Sequence, residues 1–120
     1  MEYPGELNLI SVFEALPERN DETDDLYNDK STFSFENKHE AFEVIISPFY
    51  QKFSLSVKDK KTTNVLSYIE FHSVKKLEIV EDRKDSSIIR LIHGASERFE
   101  NIIEITLKPK YKFIFREQFR

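Results

Sequence analysis

The chain has 120 residues, which suits one domain with one hydrophobic core. Its 39% apolar and 33% charged residues are a folded composition, and the eleven Phe and five Tyr favour strands. The absence of Cys excludes a disulfide framework and thiolate chemistry. The start, "MEYPGELNLI", is acidic where a secretory signal is basic, and no apolar run reaches the roughly 18 residues of a membrane span. We therefore expect a cytoplasmic protein without a membrane partner.

The formal net charge of −4 is distributed unevenly along the chain. Residues 1–60 carry 13 acidic and 6 basic side chains, whereas residues 61–120 carry 9 acidic and 12 basic ones. Residues 1–30 alone hold nine acidic and two basic residues. This asymmetry favours an electropositive partner for one end of the molecule over nucleic acid for the whole.

The segment "GELNLISVFEALP" has helical periodicity. Leu9, Val12, Phe13 and Leu16 follow the i, i+3, i+4, i+7 spacing, which places them on one face of a helix, and Pro17 closes the pattern. The spacing predicts a short helix over residues 6–16.

The next segment, "ERNDETDDLYNDK" at residues 18–30, contains six carboxylates. A calcium loop that begins at Asp21 would need Gly at the position of Leu26 and Glu at the position of Thr32. The pattern fails at both positions, so no metal site is predicted here. Two alternatives remain: a solvated connector, or an acidic surface that binds a partner.

From residue 31 the apolar period changes to two, which is typical of strands. Phe33 and Phe35 alternate with polar residues, and alternation continues in seven further segments: "AFEVIIS", "QKFSLSVKDK", "NVLSYIEFHSV" ending near Val74, "KKLEIVED", "SSIIRLIH", "IIEITLK" and "KYKFIFREQF". Successive strands without intervening helices predict an antiparallel meander. We expect an α+β, mainly β domain spanning residues 1–120, with a curved sheet of about seven strands over residues 31–118 and the short N-terminal helix against it.

The C-terminal "KPKYKFIFR" interleaves basic and aromatic residues, as sheets that bind single-stranded nucleic acid do. On a strand, however, Tyr111, Phe113 and Phe115 fall on one face and the lysines on the other. We therefore predict aromatic side chains against the core and lysines protecting an edge strand, and no nucleic-acid binding.

Signatures of catalysis are missing from the sequence. His39, His72 and His93 lack the short spacings of zinc ligands, and the chain has no G-x-S-x-G elbow and no phosphate-binding Gly-rich loop. We predict a protein that is not an enzyme and that has no cofactor. A hydrolase that uses one histidine is the least favoured hypothesis.

The segment "IEFHSVKKLEI", with Phe71, Val74, Leu77 and Ile79, and the final "KYKFIF" resemble small β-rich immunity proteins encoded beside bacterial polymorphic toxins. The resemblance covers about residues 31–118. It implies a cytoplasmic protein that blocks the active domain of a toxin by binding, with no cofactor of its own.

The resemblance and the charge distribution point to one mechanism. Many toxin domains have basic active clefts, and an acidic surface would steer the encounter and occupy the place of phosphate. The predicted partner-binding residues are the acidic side chains of the connector and one aromatic anchor among them: Asp21, Glu22, Asp24, Asp25, Asp29 and Tyr27. The alternative is a module that binds a small ligand or acts as an adaptor. The sequence leaves the partner's identity and the oligomeric state open.

Overall fold

The computed structural model describes residues 1–19 and 30–119, which form one α-helix and nine strands. The helix, α1, is Glu6–Phe13. The strands are β1 Glu18–Arg19, β2 Ser31–Glu36, β3 Glu40–Ser47, β4 Lys52–Asp59, β5 Val65–Phe71, β6 Val74–Arg83, β7 Ser86–Ala95, β8 Phe99–Lys108 and β9 Lys112–Phe119. A 3₁₀ turn, Pro48–Tyr50, connects β3 to β4.

The described strands form two antiparallel sheets. The first has the order β1-β2-β3-β4-β5 and the second has the order β6-β7-β8-β9. The mainly β class and the antiparallel meander are confirmed, but the prediction of one sheet of about seven strands is wrong. Each sheet continues from one strand to its sequence neighbour, and the chain changes sheet once, between β5 and β6.

The change of sheet occurs at His72 and Ser73, within a segment for which we expected one strand running to about Val74. Val74 instead begins β6. The apolar period breaks at this point, because Phe71 and Val74 both contact the core although they are three residues apart. A strand with strict alternation would place two such residues on opposite faces, so the chain must leave one sheet before it enters the other.

Helix α1 is shorter than predicted. Leu9, Val12 and Phe13 are buried as expected, but Leu16 is exposed. The helix ends at Phe13 because Glu14 adopts a left-handed backbone conformation (φ 54°) and its N–H bonds to the carbonyl of Ile10. The Phe13 ring packs on Phe33 and Phe35 of β2, with ring centroids 4.9 Å and 5.0 Å away.

The core lies between the two sheets, and α1 contributes to it. In the first sheet, the register aligns Phe33, Val44 and Leu55 across β2, β3 and β4, and all three are buried. The buried residues that form this single cluster are Leu9, Val12, Phe13, Phe33, Phe42, Val44, Ile46, Phe53, Leu55, Val57, Val74, Leu77, Ile89, Leu91, Ile103, Ile105 and Leu107.

The segment predicted as a connector, residues 18–30, begins with regular structure. Glu18 and Arg19 form β1, which pairs with Thr32 and Ser31 of β2. The one α-helix of the described ranges, α1, has eight residues, and no helix among them is long and apolar enough to cross a lipid bilayer.

Candidate partner-binding surface

The predicted acidic site lies outside the described residues. This holds for Asp21, Glu22, Asp24, Asp25, Tyr27 and Asp29. The structure does fix where the segment begins and ends, because Arg19 and Ser31 are register partners in β1 and β2. The acidic connector therefore leaves and re-enters the fold at one place, the edge of the first sheet.

The described residues at this edge carry charges of both signs. Glu18 and Lys30 are exposed, and Glu6 forms an ion pair with Arg19. An open depression between α1 and β1 is lined by three apolar residues and three charged ones: Ile10, Leu16, Pro17, Glu6, Glu18 and Arg19. The base of the connector thus combines exposed charges with a depression of mixed polarity.

The three histidines occupy different environments. His39 and His72 are exposed, and His72 lies 3.6 Å from the carboxylate of Glu70. His93 is partly buried against the ring of Phe71, with centroids 4.2 Å apart, and this burial lowers the pKa of His93. Within residues 1–19 and 30–119, no three potential metal ligands come together.

The surface that departs most from the sequence prediction is β9, which is exposed along its whole length. In the second sheet, the register aligns Leu91 of β7, Ile103 of β8 and Phe115 of β9. Leu91 and Ile103 are 0% exposed, whereas Phe115 is 50% exposed. The aromatic residues do share the core side of the sheet, but the prediction that Phe113 and Phe115 lie against the core is wrong. The row formed by Leu91, Ile103 and Phe115 extends beyond the core, which covers the first two side chains and leaves the third half exposed.

Apolar side chains are exposed on both faces of β9. Phe113 and Phe115 are exposed on the core side, and Ile114 is exposed on the outer side. At the end of the strand, Phe119 is 77% exposed and packs on Phe99 of β8, with ring centroids 4.8 Å apart. Tyr111, just before β9, is the predicted aromatic residue that does contact the core, and its hydroxyl donates to Ser67 Oγ at 2.9 Å.

The outer face of the second sheet carries a charge network next to β9. Arg90 donates to Glu104 at 2.7 Å and to Glu78 at 3.4 Å. The hydrogen bond from Arg90 lowers the pKa of Glu104, and the charges of Arg116 and Lys112 act in the same direction. Arg116 and Lys112 therefore lie near enough to Glu104 for their charges to act on it, while its ion pair is with Arg90.

The sequence contained a signal for the exposed strand. In "KFIF", Phe113, Ile114 and Phe115 are consecutive, so Ile114 occupies a position where strict alternation would place a polar residue. A strand with apolar side chains on both faces is buried on both sides or has an exposed apolar face. Alternation by itself shows which residues share a face but not how far the opposite sheet extends.

A shallow depression on the outer face of the first sheet is lined mainly by small and polar residues: Ser34, Ala41, Phe42, Glu43, Ser56 and Lys58. It differs from the deep and mostly apolar pockets in which small ligands usually bind. This depression therefore gives no specific support to the small-ligand alternative.

Comparisons with known proteins bear on the fold. No protein-family model matches the sequence, and no curated protein sequence matches it. A chain of a solved contact-dependent growth inhibition toxin–immunity protein complex from Klebsiella pneumoniae 342 has a similar structure. The TM-score is 0.75 at 20% sequence identity, and the match covers 98% of this chain and 96% of that chain. The resemblance to small β-rich immunity proteins that the strand pattern indicated is confirmed as a likeness of fold.

Proposed function

We propose that this chain is an immunity protein that neutralises a cognate bacterial toxin by stoichiometric binding in the cytoplasm. The observation that carries the proposal is the structural similarity to a chain of a toxin–immunity complex, which extends over nearly the full length of both chains.

Binding without catalysis agrees with the arrangement of the polar residues. Glu40, which follows His39 in the sequence, is buried and accepts hydrogen bonds from Asn37 and from the backbone N–H of Tyr111. Both bonds are made to Oε1, so this oxygen of the carboxylate is engaged in structural hydrogen bonds and is not free to act as a general base.

In this proposal the acidic connector contacts a basic surface of the toxin. Its carboxylates, at Asp21, Glu22, Asp24, Asp25 and Asp29, would attract such a surface at a distance, and Tyr27 would anchor the contact. The exposed Glu18 at the base of the connector extends the same negative charge. Electrostatic complementarity of this kind raises association rates and selects among partners.

The direct test is protection of cells from a toxin domain encoded next to this chain. We expect bacteria that express the toxin domain to stop growing, and co-expression of this chain to restore growth and to yield a complex that copurifies. A matched control is the same chain with Leu55→Asp, which places a charge in the core and should abolish protection by unfolding. Growth arrest that continues despite folded, expressed chain would contradict the proposal.

A further inference from the structure

We propose that β9 is a strand-addition site: an extended segment of the toxin partner pairs with its free edge through backbone hydrogen bonds. The inference rests on the proposed function and specifies where the partner binds. It also specifies the chemistry of the segment, which is acidic on one face and apolar on the other.

The first support is the difference between the two edges of the second sheet. The start of the β6 edge is covered by the N-terminus, because Glu2 N–H donates to the carbonyl of Lys75 at 2.9 Å and Leu77 N–H donates to the carbonyl of Glu2 at 2.8 Å. β9 pairs with β8 on one side, and in the part of the chain that the structure describes nothing pairs with its other side. Eight residues of free edge, about 27 Å long, leave backbone donors and acceptors available to another strand.

The second support is the exposure of apolar side chains along this edge. Phe113, Ile114 and Phe115 are at least 37% exposed, and they occupy both faces of the strand. Exposed edges of soluble proteins are normally short, charged or covered, because a long apolar edge promotes aggregation. Lys112 and Arg116 charge this edge, but the apolar side chains between them remain exposed. A partner strand would remove this surface from water on both faces at once.

The third support is the charge of the edge, which identifies the class of partner. Lys112 and Arg116 lie on the outer side of β9, one on each side of Ile114. Their charges act on Glu104, but within residues 1–19 and 30–119 the ion pair of Glu104 is with Arg90. A partner strand that pairs with β9 would therefore be stabilised by acidic residues at two positions, four residues apart, that face Lys112 and Arg116. Between them, apolar residues would cover Phe113 and Phe115.

The same charges disfavour a second copy of this chain as the occupant in two of the possible registers. Antiparallel pairing of two β9 strands about Ile114 places Lys112 opposite Arg116, and pairing about Arg116 places the two arginines opposite each other. Like charges directly opposite each other destabilise a strand pair. An acidic partner strand would place no positive charge opposite Lys112 or Arg116, so neither repulsion would arise.

Amide hydrogen exchange tests the backbone pairing. In the free chain, we expect alternate amides of residues 112–119 to exchange rapidly, since they face solvent at the edge. In the complex with the toxin domain, their exchange should slow by about tenfold or more. A complex in which these amides exchange at the free rate would overturn strand addition while leaving the proposed function intact.

Charge reversal tests the predicted chemistry of the partner strand. Lys112→Glu with Arg116→Glu should raise the Kd for the toxin domain by about tenfold or more. The control is Lys75→Glu with Arg83→Glu on the opposite edge strand, β6, which changes the net charge equally and should alter the Kd by less than about twofold. Equal effects of the two double variants would contradict a specific role for β9.

Two other outcomes are equally decisive. A free chain that is dimeric, with β9 amides already protected, would identify a second copy as the occupant and overturn the inference. The absence of any complex with the toxin domain would overturn both this inference and the proposed function, whereas a complex without protection of β9 overturns the inference alone.

Discussion

Glu40 connects the two sheets through hydrogen bonds to its carboxylate. The residue is 4% exposed, and its Oε1 accepts from Asn37 Nδ2 at 2.8 Å and from the backbone N–H of Tyr111 at 2.9 Å. Asn37 Nδ2 also donates to the carbonyl of Leu107 at 2.8 Å. Glu40 belongs to the first sheet, and Leu107 belongs to the second. This network therefore holds the turn before β3 against the turn before β9.

Replacing Glu40 should destabilise the fold more than a typical polar substitution. We expect Glu40→Ala to lower the free energy of unfolding by about 1.5–3 kcal/mol, because it leaves the Tyr111 N–H without its acceptor and removes one of the two acceptors of the Asn37 amide. Glu43→Ala, at an exposed position of the same strand, is the control and should change it by less than about 0.5 kcal/mol. Urea denaturation measures both, and equal effects would show that the network does not stabilise the fold.

The Arg90–Glu104 pair predicts a dependence of stability on pH. The hydrogen bond from Arg90 lowers the pKa of Glu104 from its ordinary value of 4.5 in the folded state. A lowered folded-state pKa adds stability above pH 4.5, and this stability is lost as pH falls through the folded value.

We therefore expect Glu104→Gln to be less stable than the wild type at pH 7, by up to about 1 kcal/mol, and the difference to disappear once the pH has fallen below the lowered pKa of Glu104. Urea denaturation at pH 7 and at an acidic pH below that pKa measures it. A difference that is the same at the two pH values would contradict the assignment of the stability to this carboxylate.

At the scale of the elements, β9 has side chains that lie on the core side of the sheet and are nevertheless exposed. Ile103 of β8 and Phe115 of β9 are register partners, yet Ile103 is fully buried and Phe115 is half exposed. Because the two residues lie on the same face, their difference in exposure reflects how far the first sheet covers each of them.

This difference gives a prediction for paired substitutions. Ile103→Ala should lower the free energy of unfolding by about 2–5 kcal/mol, because it opens a cavity in the core. Phe115→Ala should lower it by about 1 kcal/mol, since about half of the ring remains in water when the chain is folded. Thermal or chemical denaturation of the two variants provides the measurement, and similar losses would place β9 in the core after all.

The strands could be predicted from the sequence, but their division between sheets could not. The alternation of Phe33 and Phe35, and of the seven segments after them, corresponds to β2 through β9. An apolar period of two shows which side chains of a strand share a face. It does not show which sheet that face packs against. The break after Phe71 has neither Gly nor Pro, so no local residue type marked the change of sheet. Likewise, β1 has only two residues and no apolar period.

The site was less predictable than the fold. The acidic residues Asp21 through Asp29 could be identified from composition alone, and their role as a binding surface stays a prediction. The exposed edge was missed, because Phe113 and Phe115 have the same alternation as buried core residues. Only the relative extent of the two sheets separates these cases, and that depends on contacts between residues far apart in sequence.

At the scale of the whole molecule, the charge distribution predicts the kinetics of binding. Asp24→Lys with Asp25→Lys should slow association with the toxin domain by about tenfold at low salt and flatten its dependence on ionic strength, because the connector loses its negative field. Asp85→Lys with Glu97→Lys is the control, since it changes the net charge equally at two exposed turns. Stopped-flow measurements distinguish them, and unchanged kinetics in the first variant would remove the connector from the mechanism.

The central claim is that this chain neutralises a toxin by occupying it. The most direct measurement is a titration of the activity of the purified toxin domain with increasing amounts of this chain, at concentrations well above the Kd. The account predicts that activity falls linearly and reaches zero at one equivalent of chain. Full activity in excess chain, or loss of activity at far less than one equivalent, would contradict neutralisation by stoichiometric binding.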